Sequence, residues 1–255
     1  MGFLGLLLGA LIGVSLGLLG GGGSILAVPV FVYVLGFDPK QAVAMSLAVV
    51  GIASLVGAVG YWRAGRVDLR IALVFGAIAM AGTYIGARLA VFFSGEAQLL
   101  FFAVVMLAAA YFMFTDRGLD DSEGAREKMP LALIAGEGLA VGVLTGLVGV
   151  GGGFLVVPAL VMLGKVPVKR AVGTSLLVIA MKSASGLAGY ASQVEIPWGF
   201  VLAFAAVAVV GSYLGSYLVR FISPGALKRG FSVFLIAVSL LILYENRDTL
   251  IGLVS

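Results

Sequence analysis

The sequence predicts an all-α integral membrane protein of two inverted-topology repeats, each a broken, re-entrant helical hairpin followed by three transmembrane helices. Three observations predict it: the apolar weight of the chain, an internal duplication at one fixed offset, and a reversal of loop charge between the duplicated parts. Of 255 residues, 62% are hydrophobic and 11% charged, where a soluble domain carries about 25% charged residues. Apolar runs of about 20 residues, the helix length that crosses about 30 Å of hydrocarbon, recur along the whole chain.

The duplication superposes GLLGGGGSILAVP, from Gly17, on GLVGVGGGFLVVP, from Gly146, an offset of 129 residues that then holds without a gap to the end of each half. Pro29 meets Pro158, Ala42 meets Ala171 and Ser46 meets Ser175. Gly57, Gly60 and Tyr61 meet Gly186, Gly189 and Tyr190, and Gly82, Tyr84 and Gly86 meet Gly211, Tyr213 and Gly215.

In chain order, residues 2–19 are apolar without a basic flank and read as mature structure rather than a cleaved signal. Residues 24–35 follow a glycine run and are too short to span, so they close a broken hairpin. Spans are predicted at 41–62, 69–92 and 97–115. The polar stretch Asp116 to Lys128 joins the halves, giving a first repeat at 1–115, a cytoplasmic linker at 116–130 and a second repeat at 131–255. There the pattern recurs as 131–149 and 153–164, then 170–192, 197–221 and 226–244.

Cytoplasmic loops are enriched in Lys and Arg. Arg63, Arg66 and Arg70 cluster after the third segment, whereas the matching loop carries Glu195. Lys165, Lys169 and Arg170 stand opposite Asp38 and Lys40, and Arg220, Lys228 and Arg229 stand opposite Glu96. The bias changes sides, as an odd number of full crossings per half requires. This places 63–70, 116–130, 165–170 and 222–229 in the cytoplasm and both termini outside. Full crossing by the first segment of each hairpin is an open alternative.

The chain has no cysteine and no histidine, which excludes disulfides, thiolate chemistry, Cys/His zinc sites and imidazole catalysis. No HExxH or GxSxG is present, the Gly-rich runs follow no βαβ pattern, and no cofactor is expected. The net charge of +4 comes from basic residues scattered in loops, so nucleic acid is not an expected partner. The expected partners are the lipid bilayer, a small anion and, as a candidate coupling ion, the proton. Oligomeric state is not readable.

Candidate substrate-binding residues begin with Gly22, Gly23 and Ser24 in the first half and Gly152 and Gly153 in the second. Half-helices starting within the membrane would aim free N–H groups and the positive end of the helix dipole at an anion. The alternative is that these glycines only let helices approach closely. Lys182 falls near the midplane of its predicted helix, where a charge needs a partner or a wet cavity. Its neighbours Ser175, Ser185, Gly186 and Gly189 form a small, polar stripe that reads as the lining of a path. Lys182 is a candidate for substrate binding or ion coupling, and its repeat mate is Ala53. An ion pair with Glu137 is the structural alternative. Glu137, whose mate is Leu8, is the second coupling candidate. Ser46, Ser175 and Thr174 complete the set, as hydroxyls that either replace the hydration of an oxyanion or bond back to the preceding turn.

With these residues in view, the chain resembles the TauE/SafE sulfite exporter family, anion permeases for sulfur compounds. The resemblance rests on the twice-occurring Gly-rich stretch closed by Pro29 and Pro158, the AVAMS and AVGTS segments at 42–46 and 171–175, and the GxxGY pattern at Gly57 and Gly186. It implies outward, gradient-driven transport of sulfite, sulfonates or related small anions across a prokaryotic inner membrane. A thiol relay for thiosulfate, associated with a related family, has no cysteine to use. A passive anion channel and a non-transporting membrane scaffold are the competing classes.

Overall fold

The structure is a computed structural model that describes residues 3–19, 24–115, 131–148, 153–163, 166–218 and 221–247. Among them there are ten α-helices and no strand: α1 (Phe3–Leu19), α2 (Ala27–Pro29), α3 (Pro39–Arg63), α4 (Leu69–Leu89), α5 (Gly95–Thr115), α6 (Leu131–Val148), α7 (Gly153–Pro158), α8 (Val168–Tyr190), α9 (Trp198–Leu218) and α10 (Pro224–Glu245). Four helices, α3, α4, α8 and α9, are long and apolar enough to cross a membrane. The glycines at 22, 23 and 152 and the linker at 116–130 lie outside the described residues.

Helix boundaries follow local chemistry. Asp38 accepts a hydrogen bond from Lys40 N at 2.9 Å ahead of Pro39, and Asp68 accepts from Ile71 N at 3.0 Å, so α3 and α4 begin on carboxylate caps. The α3 helix ends where Gly65 takes φ +66°, with Arg66 N donating to Tyr61 O at 2.9 Å. Both short helices change winding at their prolines. A π-helical stretch, Val30–Val34, follows Pro29, and another, Ala159–Leu163, follows Pro158. Proline donates no N–H and its ring crowds the turn before it, which favours a local change of winding. Both stretches stop alike, Phe37 N donating to Phe31 O and Val166 N to Leu160 O, each at 2.9 Å.

The centre of the molecule is α3 against α8. Of the most apolar stretch of each helix, 72% of α3 and 61% of α8 are buried, against 39% for α4 and for α9, which therefore lie outside them. The pair runs antiparallel: Gly57, late in α3, faces Leu176, early in α8, and Gly186, late in α8, faces Leu47, early in α3. Outward-facing side chains such as Leu73, Val104, Val210 and Leu240 are large, apolar and exposed, as expected where lipid is the solvent.

The outer helices are held by backbone approach rather than by interdigitated side chains. A Cβ on Gly13 or Gly17 of α1 would lie 2.1 Å from Ala208 O or Ser212 O of α9. One on Gly142 or Gly146 of α6 would lie 2.5 Å from Ala79 O or 2.1 Å from Thr83 O of α4. Only glycine fits such spacings, the small-residue packing that apolar side chains cannot replace in a membrane. Each contact recurs 129 residues on, since positions 13, 17, 208 and 212 correspond to 142, 146, 79 and 83. Tyr61 OH donates to Gly17 O at 3.0 Å, and Tyr190 OH to Gly146 O at 3.3 Å, at the same offset.

Gly146→Ala is expected to destabilise the folded protein by about 1–3 kcal/mol, the usual cost of overpacking, because its methyl meets a backbone carbonyl. Gly136→Ala on the same helix meets nothing within 4 Å and is expected to be neutral. Thermal unfolding of the two purified variants in one detergent checks the contrast.

Candidate functional site

Lys182 lies midway along α8, 1% exposed, and is the one charged side chain among the described residues that is fully buried. Its Nζ donates to Thr145 Oγ1 of α6 at 3.3 Å, and that hydroxyl donates to Gly142 O at 3.1 Å. The close approach of α6 to α4 at Gly142 and Gly146 fixes where Thr145 stands. At the matching positions of the first half, Ala53 and Leu16 belong to one apolar cluster. A lysine and a threonine thus replace two hydrocarbon side chains in an otherwise repeated framework.

The ion pair with Glu137 is not made. Glu137 is half-buried on α6, eight residues before Thr145, about 12 Å along the axis. A buried ammonium is tolerated where hydrogen bonds and a counter-charge satisfy it. Among the described residues Lys182 has one hydrogen bond and no carboxylate partner. A protonated lysine has three N–H bonds to donate, and one of them is used here.

The polar stripe of α8 meets α4. Ser185 Oγ donates to Met80 O at 2.7 Å, and a Cβ on Gly186 or Gly189 would touch Thr83 or Ala87. Small residues here let two helices close, where the sequence suggested an open path. Ser175, buried, donates back to Val172 O at 2.8 Å, the local bond that was its alternative reading. Thr174, also buried, accepts from Asp68 N at 2.9 Å and so pins the α3–α4 loop to α8. Ser24, Ser46 and Gly153 are buried at the starts of their segments. Lys182 meets Thr145, which sequence reasoning had not singled out. The described residues do not join Lys182 directly to the hydroxyls at 46, 174 and 175.

Three further hydroxyls were missed. Ser54, Ser183 and Ser212 are fully buried with no hydrogen-bond partner among the described residues. Ser54 and Ser183 are repeat mates, a signal the duplication carried. Ser183 borders a cavity of about 320 Å³ between α3 and α8, otherwise walled by apolar side chains such as Leu47, Leu55 and Leu177. An unpaired hydroxyl in so dry a setting costs about 1–3 kcal/mol. No group of three or more acidic side chains that could hold a metal ion occurs among the described residues.

The family described as "Sulfite exporter TauE/SafE" matches residues 5–242. A "Probable membrane transporter protein" of Xylella fastidiosa (strain 9a5c) is 31% identical over 251 residues, covering 96% of this chain and 95% of its own length. The "Probable membrane transporter protein YdhB" of Bacillus subtilis (strain 168) is 24% identical over 92% of this chain and 97% of its own. A protein of the same description from Haemophilus influenzae is 27% identical over 92% and 95%. No solved structure matches the chain.

The geometry separates a structural lysine from a functional one. Lys182→Met exchanges a buried charge for an apolar side chain of similar length and is expected to leave stability unchanged or raise it by about 1–4 kcal/mol. Thr145→Val leaves the ammonium without its acceptor and is expected to lower stability by about 1.5–3 kcal/mol. Denaturation of both variants in matched detergent gives the signs.

Proposed function

The chain belongs to the sulfite exporter TauE/SafE family, and on that premise we propose that it is a secondary transporter exporting small sulfur-containing anions, sulfite or organosulfonates, by alternating access driven by an ion gradient. The observation that carries the choice of an anion is Lys182, a buried lysine beside Thr145 with no carboxylate partner among the described residues, which offers positive charge when protonated. An oxyanion at this point supplies the counter-charge the protein withholds, and its departure restores the cost of the bare charge. A site that alternates between these states favours release as well as capture. Glu137 and Lys182 are the groups proposed to couple a proton to the cycle, and no catalytic step is assigned.

The proposed architecture is a pair of inverted repeats, 1–115 and 131–255, joined by a cytoplasmic linker at 116–130, with both termini outside the inner membrane. Antiparallel α3 and α8, and contacts that recur at the offset of 129 residues, support it. Such repeats commonly place the substrate near the midplane between them, and Lys182 is proposed to stand at that depth. The N-terminal ends of α2 and α7, with Ser24 and Gly153, are proposed to complete the site along with Gly22, Gly23, Gly152, Ser46, Thr174 and Ser175.

Alternating access draws support from two equivalent helix pairs that differ. At the end of α8 against α4, Gln193 Nε2 donates to Ala87 O and Gly189 O, each at 3.0 Å, and a Cβ on Gly189 would lie 2.6 Å from Ala87 Cβ. At the matching end of α3 against α9, a Cβ on Gly60 would meet nothing within 4 Å. One pair is shut and its counterpart is parted, the relation that an exchange of conformations between repeats would produce.

Purified protein in liposomes is expected to accumulate labelled sulfite or sulfoacetate above equilibrium when a pH gradient is imposed, and a matched carboxylate less. Lys182→Ala is expected to reduce the rate by roughly tenfold or more, the scale of one charged hydrogen bond, with insertion preserved. Flux that only equilibrates would instead indicate a channel, and a well-inserted Lys182→Ala with unchanged flux removes Lys182 from the mechanism.

A further inference from the structure

We propose that the cavity between the ends of α3 and α9 is a capture site for a small oxyanion, held by the guanidinium of Arg66. The proposal rests on the reading of the chain as an anion transporter and adds a second anion site, at the mouth rather than the midplane.

The cavity measures about 130 Å³ and is lined by Tyr61, Ala64, Arg66, Tyr213, Ser216 and Tyr217. Four of its lining positions differ between the halves: Ala64, Arg66, Ser216 and Tyr217 stand where the other half has Gln193, Glu195, Ala87 and Arg88. Position 64 is alanine, and its counterpart is Gln193, whose amide closes α8 onto Ala87 and Gly189. A methyl cannot make those bonds, and the space that glutamine fills at one mouth stays open at the other. Position 66 differs as well: Arg66 stands where the other half has Glu195. The equivalent place has an arginine too, Arg88 at the position of Tyr217, but its guanidinium donates to Ser192 Oγ at 3.1 Å, so the guanidinium at the open place is the one without a protein acceptor among the described residues.

The backbone of Arg66 is held at the edge of this space. The left-handed turn at Gly65 brings the chain back toward Tyr61, and Arg66 N donates to Tyr61 O. Arg66 O lies so close to Gly173 of α8 that a Cβ there would come within 2.4 Å, and the Asp68 N–H is fixed by Thr174. The Asp68 carboxylate is turned to cap α4 at Ile71 N. Among the described residues Arg66 makes no ion pair.

The lining hydroxyls sort by what their protons already do. Tyr61 OH donates to Gly17 O, and Ser216 Oγ donates to Tyr213 O at 2.8 Å. The guanidinium, with its five N–H bonds in a fork that fits an oxyanion, and the Tyr213 phenol remain without a protein acceptor among the described residues. One turn deeper on α9 is Ser212, fully buried and unpartnered, its Oγ 2.9 Å from where a Cβ on Gly57 would stand. Ser212 lies where α3 and α9 are closely packed, so the cavity ends above it.

Trp62 adjoins this turn, and the only other tryptophan is Trp198, so a Trp198→Phe background makes Trp62 emission a local reporter. Methanesulfonate, which does not absorb where tryptophan does, is titrated into that purified variant, and sulfite flux is measured separately in liposomes. A saturable change in emission is expected. Arg66→Gln should abolish it, and Ala64→Gln should do the same by filling the space as Gln193 does at the other mouth, while Arg66→Lys should restore it in part. In flux, both Gln variants should raise KM by roughly tenfold with kcat little changed. No saturable response, or identical titrations in all variants while sulfite flux is intact, overturns the capture site. Absence of flux in the unsubstituted protein overturns the transporter reading instead, and the titration alone then decides whether Arg66 binds an anion.

Discussion

Close backbone contact between helices is the constraint on which this structure depends. In hydrocarbon there is no solvent force pushing apolar side chains together, so helices associate through the fit of their surfaces. Here the fit comes from glycines whose missing Cβ atoms admit a neighbouring carbonyl, at Gly13 and Gly17 against α9 and at Gly142 and Gly146 against α4. Those contacts fix the outer pairs, the outer pairs flank α3 and α8, and α8 carries Lys182 to the centre. The same approach sets Thr145, one turn from Gly142 and next to Gly146, under the ammonium.

On this repeated frame the interesting chemistry sits where the repeats differ. Lys182 and Thr145 replace Ala53 and Leu16, Gln193 replaces Ala64, and Arg66 replaces Glu195. Each substitution turns one of two equal places into something its counterpart is not: a polar centre against an apolar one, a sealed mouth against an open one, a cation against an anion. The shared glycines and tyrosines make the scaffold, and the unshared residues make its two halves unequal.

Much of this was legible from the sequence. The duplication gave the register of the contacts in advance, and the shortness of the segments after the glycine runs anticipated α2 and α7. The prolines closing those runs did not reveal the π-helical winding that follows, because one missing N–H can be absorbed by a kink, a bulge or a helix end. The α8 stripe was ambiguous for a similar reason: small polar residues look alike whether they border a path or admit a neighbouring helix. Only the position of α4 distinguishes the two. Thr145 escaped notice because a threonine in an apolar helix says nothing until its partner is known. Thr174 has a structural contact that the sequence did not indicate, its hydroxyl accepting the backbone N–H of Asp68.

The tyrosine at the end of each central helix bears on how the chain is built. Tyr61 holds Gly17 and Tyr190 holds Gly146 within their own halves, but the glycine faces of α1 and α6 are filled by α9 and α4, which lie on the other side of the linker. Neither portion of the chain can cover its own close-packing surface. Severed at the linker, each would present to the other the groove its partner helix occupies, so the two pieces are a lock and key rather than separate folding units. Cut at the linker, the pieces would have to find each other before either could close its packing.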